Sequence, residues 1–223
     1  MSPQPVNLAL PRINQHPLDP RIAPQSPYTA LIFDCDGTLA HTLPVHFQVW
    51  QAALGKFGAV LAQDWYYERT GLTAAAFAKA FNQTFGHAID EQKLEAERQQ
   101  QFARLIHQVQ AVPAVAAIAE ANYGKVPMAV ASNGQKSVVE STIEAIGLRS
   151  LFDTIVTLND VAAGKPEPDL FLLAAERMGV APSDCIVYED SDLGLEAAQR
   201  AGMRWIDVRI LESNIGSNIG RDL

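Results

Sequence analysis

Short apolar runs that end in polar residues recur along the chain from Tyr28 onward. They are Thr29 to Asp34, Val126 to Ser132, Thr154 to Leu158, Cys185 to Glu189 and Arg204 to Val208. A run such as Met128-Ala129-Val130-Ala131 has no polar position to turn toward water. Continuous apolar runs of this kind suit strands covered on both faces of a parallel sheet. Stretches of helical character follow, and their punctuation agrees. Pro168 stands at the first turn of a helix predicted to reach Met178, just before Gly179. Predicted helices over Gln135 to Ile146 and Leu193 to Ala201 are stopped in the same way by Gly147 and Gly202. Strands alternating with helices predict an α/β fold built on a doubly wound parallel sheet.

One interval breaks this alternation. Between Thr42 and Val112 no strand is predicted; the pattern reads as helices over Pro44 to Phe57, Thr73 to Phe85 and Asp90 to Val109. A block of this size is too long for a loop. It is expected to form a second, all-helical domain inserted after the first strand. The predicted organisation is an arm over 1–27, a core made of 28–42 and 112–223, and a helical cap over 43–111. The arm carries Pro3, Pro5, Pro11, Pro17, Pro20, Pro24 and Pro27. Proline is a poor helix or central-strand residue, so an extended arm is expected, either mobile or laid across the surface.

Composition narrows the possible partners. With 223 residues, 48% of them hydrophobic, the chain can bury a substantial core. A net charge of -8 leaves no overall basic surface for a nucleic-acid backbone. A small phosphorylated ligand, by contrast, needs only a few local positive groups. No apolar run is long enough to cross a bilayer, and the N-terminus does not read as a secretory signal. Cys35 and Cys185 cannot build a disulfide framework, so a reducing cytoplasm is the expected compartment; the chain is expected to be a monomer.

In an open α/β sheet, ligands bind beyond the carboxyl ends of the strands. The polar residues at the strand ends are therefore the candidates for chemistry. They are Asp34 and Asp36 after the first strand, Ser132 and Asn133 after the second, and Glu189 and Asp190 after the fourth, with Lys165 in the loop after the third. Carboxylates, a hydroxyl and a cation suit phosphoryl transfer, where catalysis is mostly positioning and charge neutralisation. Taken singly, Asp36-Gly37 is a turn signal and Ser132-Asn133-Gly134 a helix cap. Their ordered company favours the chemical reading.

Asp34-Cys35-Asp36-Gly37-Thr38 resembles the DxDGT signature of the haloacid-dehalogenase-like superfamily. Ser132-Asn133, Lys165 in Gly164-Lys165-Pro166, and Glu189-Asp190-Ser191 match its second, third and fourth motifs in order. The helical block falls where that family inserts its cap, and the chain is most similar to the β-phosphoglucomutase-like group and its sugar-phosphate phosphatases. The resemblance implies Mg2+-dependent hydrolysis of a small sugar phosphate, with an aspartyl-phosphate formed on Asp34. It assigns the ion to Asp34, the backbone carbonyl of Asp36 and Asp190, with Glu189 close by. Asp36 becomes the general acid and base. Gly37, Ser132, Asn133 and Lys165 become the phosphate site, and His46 and Arg98 the cap residues that meet the substrate. Where the mutase carries a cap arginine, this chain has Ala74. The handle for a second phosphate is missing, so hydrolysis is expected over a mutase reaction. A receiver-like phosphoacceptor module is a further rival, but it would need neither Asp36 nor the long insertion.

Overall fold

The computed structural model describes residues 18–70 and 72–214. Five parallel strands form the central sheet: β1 (Ala30–Phe33), β4 (Met128–Ser132), β5 (Thr154–Thr157), β6 (Cys185–Glu189) and β7 (Arg204–Asp207). Their spatial order is β5-β4-β1-β6-β7. The register places Phe33 beside Val130 on one side and Tyr188 on the other. The carboxyl ends of β1, β4 and β6 therefore share one rim. The chain leaves β1 toward β4 and β5, then returns to lay β6 against the other side of β1. This reversal of direction creates the crevice in which α/β sheets bind ligands.

Helices cover both faces, as the unbroken apolar runs require. On one face Leu31, Phe33, Val130 and Ile186 pack with α5 (Pro113–Asn122) and α6 (Lys136–Ala145). On the other, Ala30, Ile32, Ala129 and Val187 pack with α7 (Asp169–Met178) and α8 (Asp192–Arg200). All five predicted strands are present. Helix α5 went unpredicted, although Pro113 in its first turn is the same start signal used elsewhere.

Four helices, α1 (Leu43–Gly55), α2 (Gln63–Tyr67), α3 (Ala74–Phe85) and α4 (Glu91–Leu105), interrupt the alternation. Thr73 and Asp90 cap α3 and α4, accepting from Ala76 N at 3.3 Å and Lys93 N at 2.9 Å. The four helices bury a core of their own, including Trp50, Leu54, Tyr66, Phe77, Phe81 and Leu94. The expectation that this interval holds no strand is corrected. β2 (Ala40–His41) pairs antiparallel with β3 (Gln110–Ala111) where the chain enters and leaves the insertion. Two-residue strands are too short to print an alternating pattern.

Residues 1–17 of the expected arm lie outside the described residues. The described remainder is laid across the sheet domain, with Ile22 fully buried among the residues of the first face. Tyr188 Oη donates to Ile22 O at 3.0 Å, and Arg204 donates to Gln25 O at 2.9 Å and to Pro27 O. Among the described residues no helix is long and apolar enough to cross a membrane.

Candidate active site

Asp34 lies at the carboxyl end of β1, and its amide donates to Tyr188 O at 3.0 Å. β4 ends in Ser132, and β6 ends in Glu189 with Asp190 next. The sheet thus brings together side chains spread through the sequence from Asp34 to Asp190. Asp34, Glu189 and Asp190 each offer an oxygen within 4.8 Å of the others. Lys165 reaches this group from the loop after β5, and its Nζ donates to Asp34 Oδ1 at 2.5 Å and to Glu189 Oε2 at 2.8 Å. Lys165 is only 8% exposed and Glu189 1%, so these charges meet away from water.

The loops hold these groups through hydrogen bonds. Ser191 caps α8 by accepting from Gly194 N at 3.1 Å, while its hydroxyl donates to Glu189 Oε1 at 2.6 Å. The cap is therefore made by Ser191, and Glu189 and Asp190 are left to face the site. Thr38 Oγ1 donates to Asp190 Oδ1 at 3.0 Å. Gly37 has φ of +94°, and a Cβ there would lie 2.0 Å from Asp190 Oδ2. Only glycine permits both that backbone and that approach. Gly194 serves Glu189 in the same way, since a Cβ would lie 2.0 Å from its Cδ. Thr38, Ser191 and Gly194 were not singled out as site residues from sequence. Ser191 followed three residues later by glycine at the start of a helix was the available signal.

Asp36 points elsewhere. Its Oδ1 lies 3.3 Å from His46 Nε2, and its Oδ2 accepts from Ser132 Oγ at 3.5 Å. His46 reaches it from the first turns of α1 and stacks on Phe102 of α4, with ring centroids 5.2 Å apart. Ser132 Oγ also accepts from Gly134 N at 2.9 Å. Asn133 is occupied differently from the phosphate contact expected of it. Its Oδ1 accepts from Lys165 N at 2.8 Å and its Nδ2 donates to Lys165 O at 3.3 Å. Arg98 is not brought into the cluster. It is buried within the insertion, with Nε and Nη2 donating to Glu95 at 2.7 and 2.8 Å. His41 is exposed in β2, and Cys35 is buried, its thiol pushed up by burial and then by Asp36 and Asp34.

The electrostatics are one-sided. Burial, followed by the charge of Glu189, raises the pKa of Asp34 well above the carboxylate range, with Lys165 pulling the other way. Burial and Glu189 push Asp190 up to about 6. Burial disfavours the charged form of Lys165, but Asp34 and Glu189 outweigh it and hold the ammonium protonated. The lysine is thus satisfied while Asp34 is not, because one ammonium faces a crowd of carboxylates. Three oxygen ligands in reach of one another, with anionic charge left over, fit a hard divalent cation of the magnesium kind. Asp36 behaves in the opposite way: burial would raise it, but hydrogen bonding and charge from His46 hold it below the usual range.

A parallel sheet with this rim of carboxylates and a buried lysine defines a phosphoryl-transfer enzyme, and the chain belongs to the haloacid dehalogenase-like hydrolases, whose family model matches residues 28–202. Within that family it is a phosphatase. It is 38% identical over 189 residues to fructose-1-phosphate phosphatase YqaB of Escherichia coli strain K12, covering 82% of this chain and 98% of that protein. It is 28% identical over 183 residues to the phosphorylated carbohydrates phosphatase of Thermotoga maritima, covering 79% of this chain and 83% of that one. Among solved structures it superimposes on CbbY from Rhodobacter sphaeroides in complex with phosphate, with a TM-score of 0.71 and 27% identity over 80% of this chain and 85% of that one.

Proposed function

We propose that the chain is a Mg2+-dependent phosphatase of small sugar phosphates, acting through an aspartyl-phosphate on Asp34. The observation that carries this reading is the contact of Lys165 Nζ with Asp34 Oδ1 inside the cluster with Glu189 and Asp190. The sugar-phosphate class is supported by the two phosphatase relatives. Asp34, Asp190 and the backbone carbonyl of Asp36 would hold the ion, with Glu189 behind them. When bound, the ion supplies positive charge that offsets the repulsion between a carboxylate and a phosphate monoanion or dianion.

The other parts belong to the chain itself. Lys165 neutralises charge on the phosphoryl oxygens, and its backbone is held by Asn133. Ser132 and the turn at Gly37 complete the phosphate site. Asp34 Oδ attacks phosphorus as the bond to the leaving oxygen breaks, and Asp36 supplies the leaving oxygen with a proton. Water then attacks the aspartyl-phosphate, and Asp36 takes that water's proton. At rest Asp36 is the carboxylate, which is the form the second step requires. His46 Nε2, at 3.3 Å, is the group placed to exchange the proton that the first step requires. The insertion acts as a cap: His46 meets the substrate from α1, while the guanidinium of Arg98 on α4 is taken up by Glu95. The protein works as a cytoplasmic monomer, and its two free, buried cysteines suit a reducing compartment.

The test is free-phosphate release from a panel of sugar phosphates and p-nitrophenyl phosphate with magnesium, for the wild type and Asp34→Asn. Turnover in the wild type and loss by several orders of magnitude in a folded Asp34→Asn protein are expected. Retained activity in that variant removes Asp34 as nucleophile.

A further inference from the structure

A cavity of about 420 Å³ opens between α1, α3 and α4 of the insertion and the start of α6 in the sheet domain. Its sheet-domain wall is Gln135, next in the chain to Gly134, whose amide donates to Ser132 Oγ at 2.9 Å. His46, which meets Asp36, and Trp50, which lines the cavity, are four residues apart on α1 and so share one face of that helix, which sets the cavity on the side of the insertion that meets the site.

The lining has a definite charge. It includes the carboxylates of Glu91 and Glu95, the amides of Gln99 and Gln135, the Trp50 ring and the small side chain of Ala74. No lysine or arginine lines it among the described residues. Arg98, three residues after Glu95 on α4, is withdrawn: it is 6% exposed, its guanidinium carbon is 5.7 Å from the Trp50 ring centroid, and both its bonded nitrogens face Glu95. Glu95 Oε1 accepts from Gln99 Nε2 at 2.9 Å as well, and Gln99 Nε2 in turn lies 3.4 Å from Gln135 Oε1. One carboxylate thus ties Arg98 down and lines the cavity toward the sheet domain.

Carboxylates only accept hydrogen bonds, and amide side chains both donate and accept. Such a wall matches hydroxyl groups. A second phosphate or a carboxylate would meet the carboxylate of Glu91, a Glu95 whose charge is already spent on Arg98, and no guanidinium left to receive it. We propose that Glu95 is a specificity-determining residue that restricts the enzyme to monophosphates whose far end is an uncharged polyhydroxyl group, by holding Arg98 away from the substrate. This rests on the phosphatase reading above.

The experiment compares a hexose 1-phosphate with the corresponding hexose 1,6-bisphosphate, alongside p-nitrophenyl phosphate, in wild type, Glu95→Ala, Glu95→Gln and Glu95→Ala/Arg98→Ala. The wild type should favour the monophosphate by about 10-fold or more in kcat/KM. Glu95→Ala should shift that ratio toward the bisphosphate by about 10-fold, through KM, with a smaller effect on p-nitrophenyl phosphate, which has no second charge to place. The second substitution should cancel the shift. Should Glu95→Ala fail to fold, Glu95→Gln, which keeps the shape and loses the charge, should move the ratio in the same direction. An unchanged ratio in a folded variant, or a wild type indifferent to the second phosphate, overturns the proposal. If the wild type releases phosphate from no ester, the phosphatase reading fails instead. Calorimetric titration with the same two sugar phosphates then decides the charge selectivity, and equal affinities overturn it.

Discussion

Asn133 holds the main chain of Lys165 from both sides, its Oδ1 accepting from Lys165 N at 2.8 Å and its Nδ2 donating to Lys165 O at 3.3 Å. The lysine's reach to Asp34 and Glu189 starts from that anchored backbone. Gly164 lets the chain come this close, since a Cβ there would lie 2.4 Å from Asn133 Oδ1. Asn133→Ala leaves a part-buried amide and carbonyl unpaired, a loss of about 1–3 kcal/mol. We expect turnover of p-nitrophenyl phosphate to fall by about 10-fold or more, with a smaller change in KM. Unaltered kinetics would show that Lys165 keeps its place without this support.

Gly37→Ala should be far more damaging than its size suggests. The residue has a positive φ, and the new methyl group would meet Asp190 Oδ2. Strain at such a position costs about 1–3 kcal/mol, and Asp190 must move away to relieve the clash. Magnesium affinity by calorimetry and kcat should both drop by about 100-fold. A variant that binds the ion normally would show that Asp190 is free to shift without leaving the site.

Without a bound cation, the charged carboxylates oppose one another, and the sign of the pH effect follows. Asp190 is raised to about 6, and Asp34 is raised in the same direction. A carboxyl whose folded pKa exceeds its unfolded value weakens the fold at neutral pH, and that penalty is relieved as pH falls through the folded pKa. Carboxylates held low by arginines, such as Asp160 and Asp207, reduce stability only near and below their ordinary value of 3.8. Cation-free protein should therefore melt at a higher temperature at about pH 5.5 than at about pH 7.5. Asp190→Asn should stabilise it at neutral pH by about 1 kcal/mol, after allowing for solvent screening. Magnesium requires the ionised form, so its apparent affinity should weaken below about pH 6. Melting temperatures that do not depend on pH in chelator would show that Asp190 titrates normally.

The arm can be tested through Ile22, which is fully buried although it precedes the matched residues 28–202. Ile22→Ala should cost about 2–4 kcal/mol, seen as a fall of about 5–10 °C in Tm. Its carbonyl accepts from Tyr188, which stacks on Phe33 with centroids 4.8 Å apart, and these two residues immediately precede Glu189 and Asp34. Some loss of kcat should accompany the loss of stability. A variant with wild-type melting would show that the arm merely rests on the surface.

The strands were legible because burial on both faces leaves a continuous apolar run, and the site because parallel strands place their polar ends together. What the sequence hid were relationships between side chains. Nothing in Ser-Asn-Gly says that the asparagine spends its amide on Lys165 rather than on a phosphate. Arg98 looked available on a long helix, yet Glu95, three residues earlier, takes its guanidinium. β3 was hidden by its two-residue length, and Ile22 by a proline-rich surround that gives no periodicity.

The short pairing of Ala40 with Ala111 has a consequence for how such an enzyme can change. Because the two ends of the insertion meet side by side, the sheet experiences it as a single graft point. Another segment whose ends lie equally close could be spliced there without disturbing the register of the five strands. A chimaera joined at these two alanines should keep the phosphoryl chemistry of its host when the donor segment carries a histidine in the place of His46, and should inherit the substrate preference of its donor, so that one catalytic frame can be refitted for many esters by exchanging a single cassette.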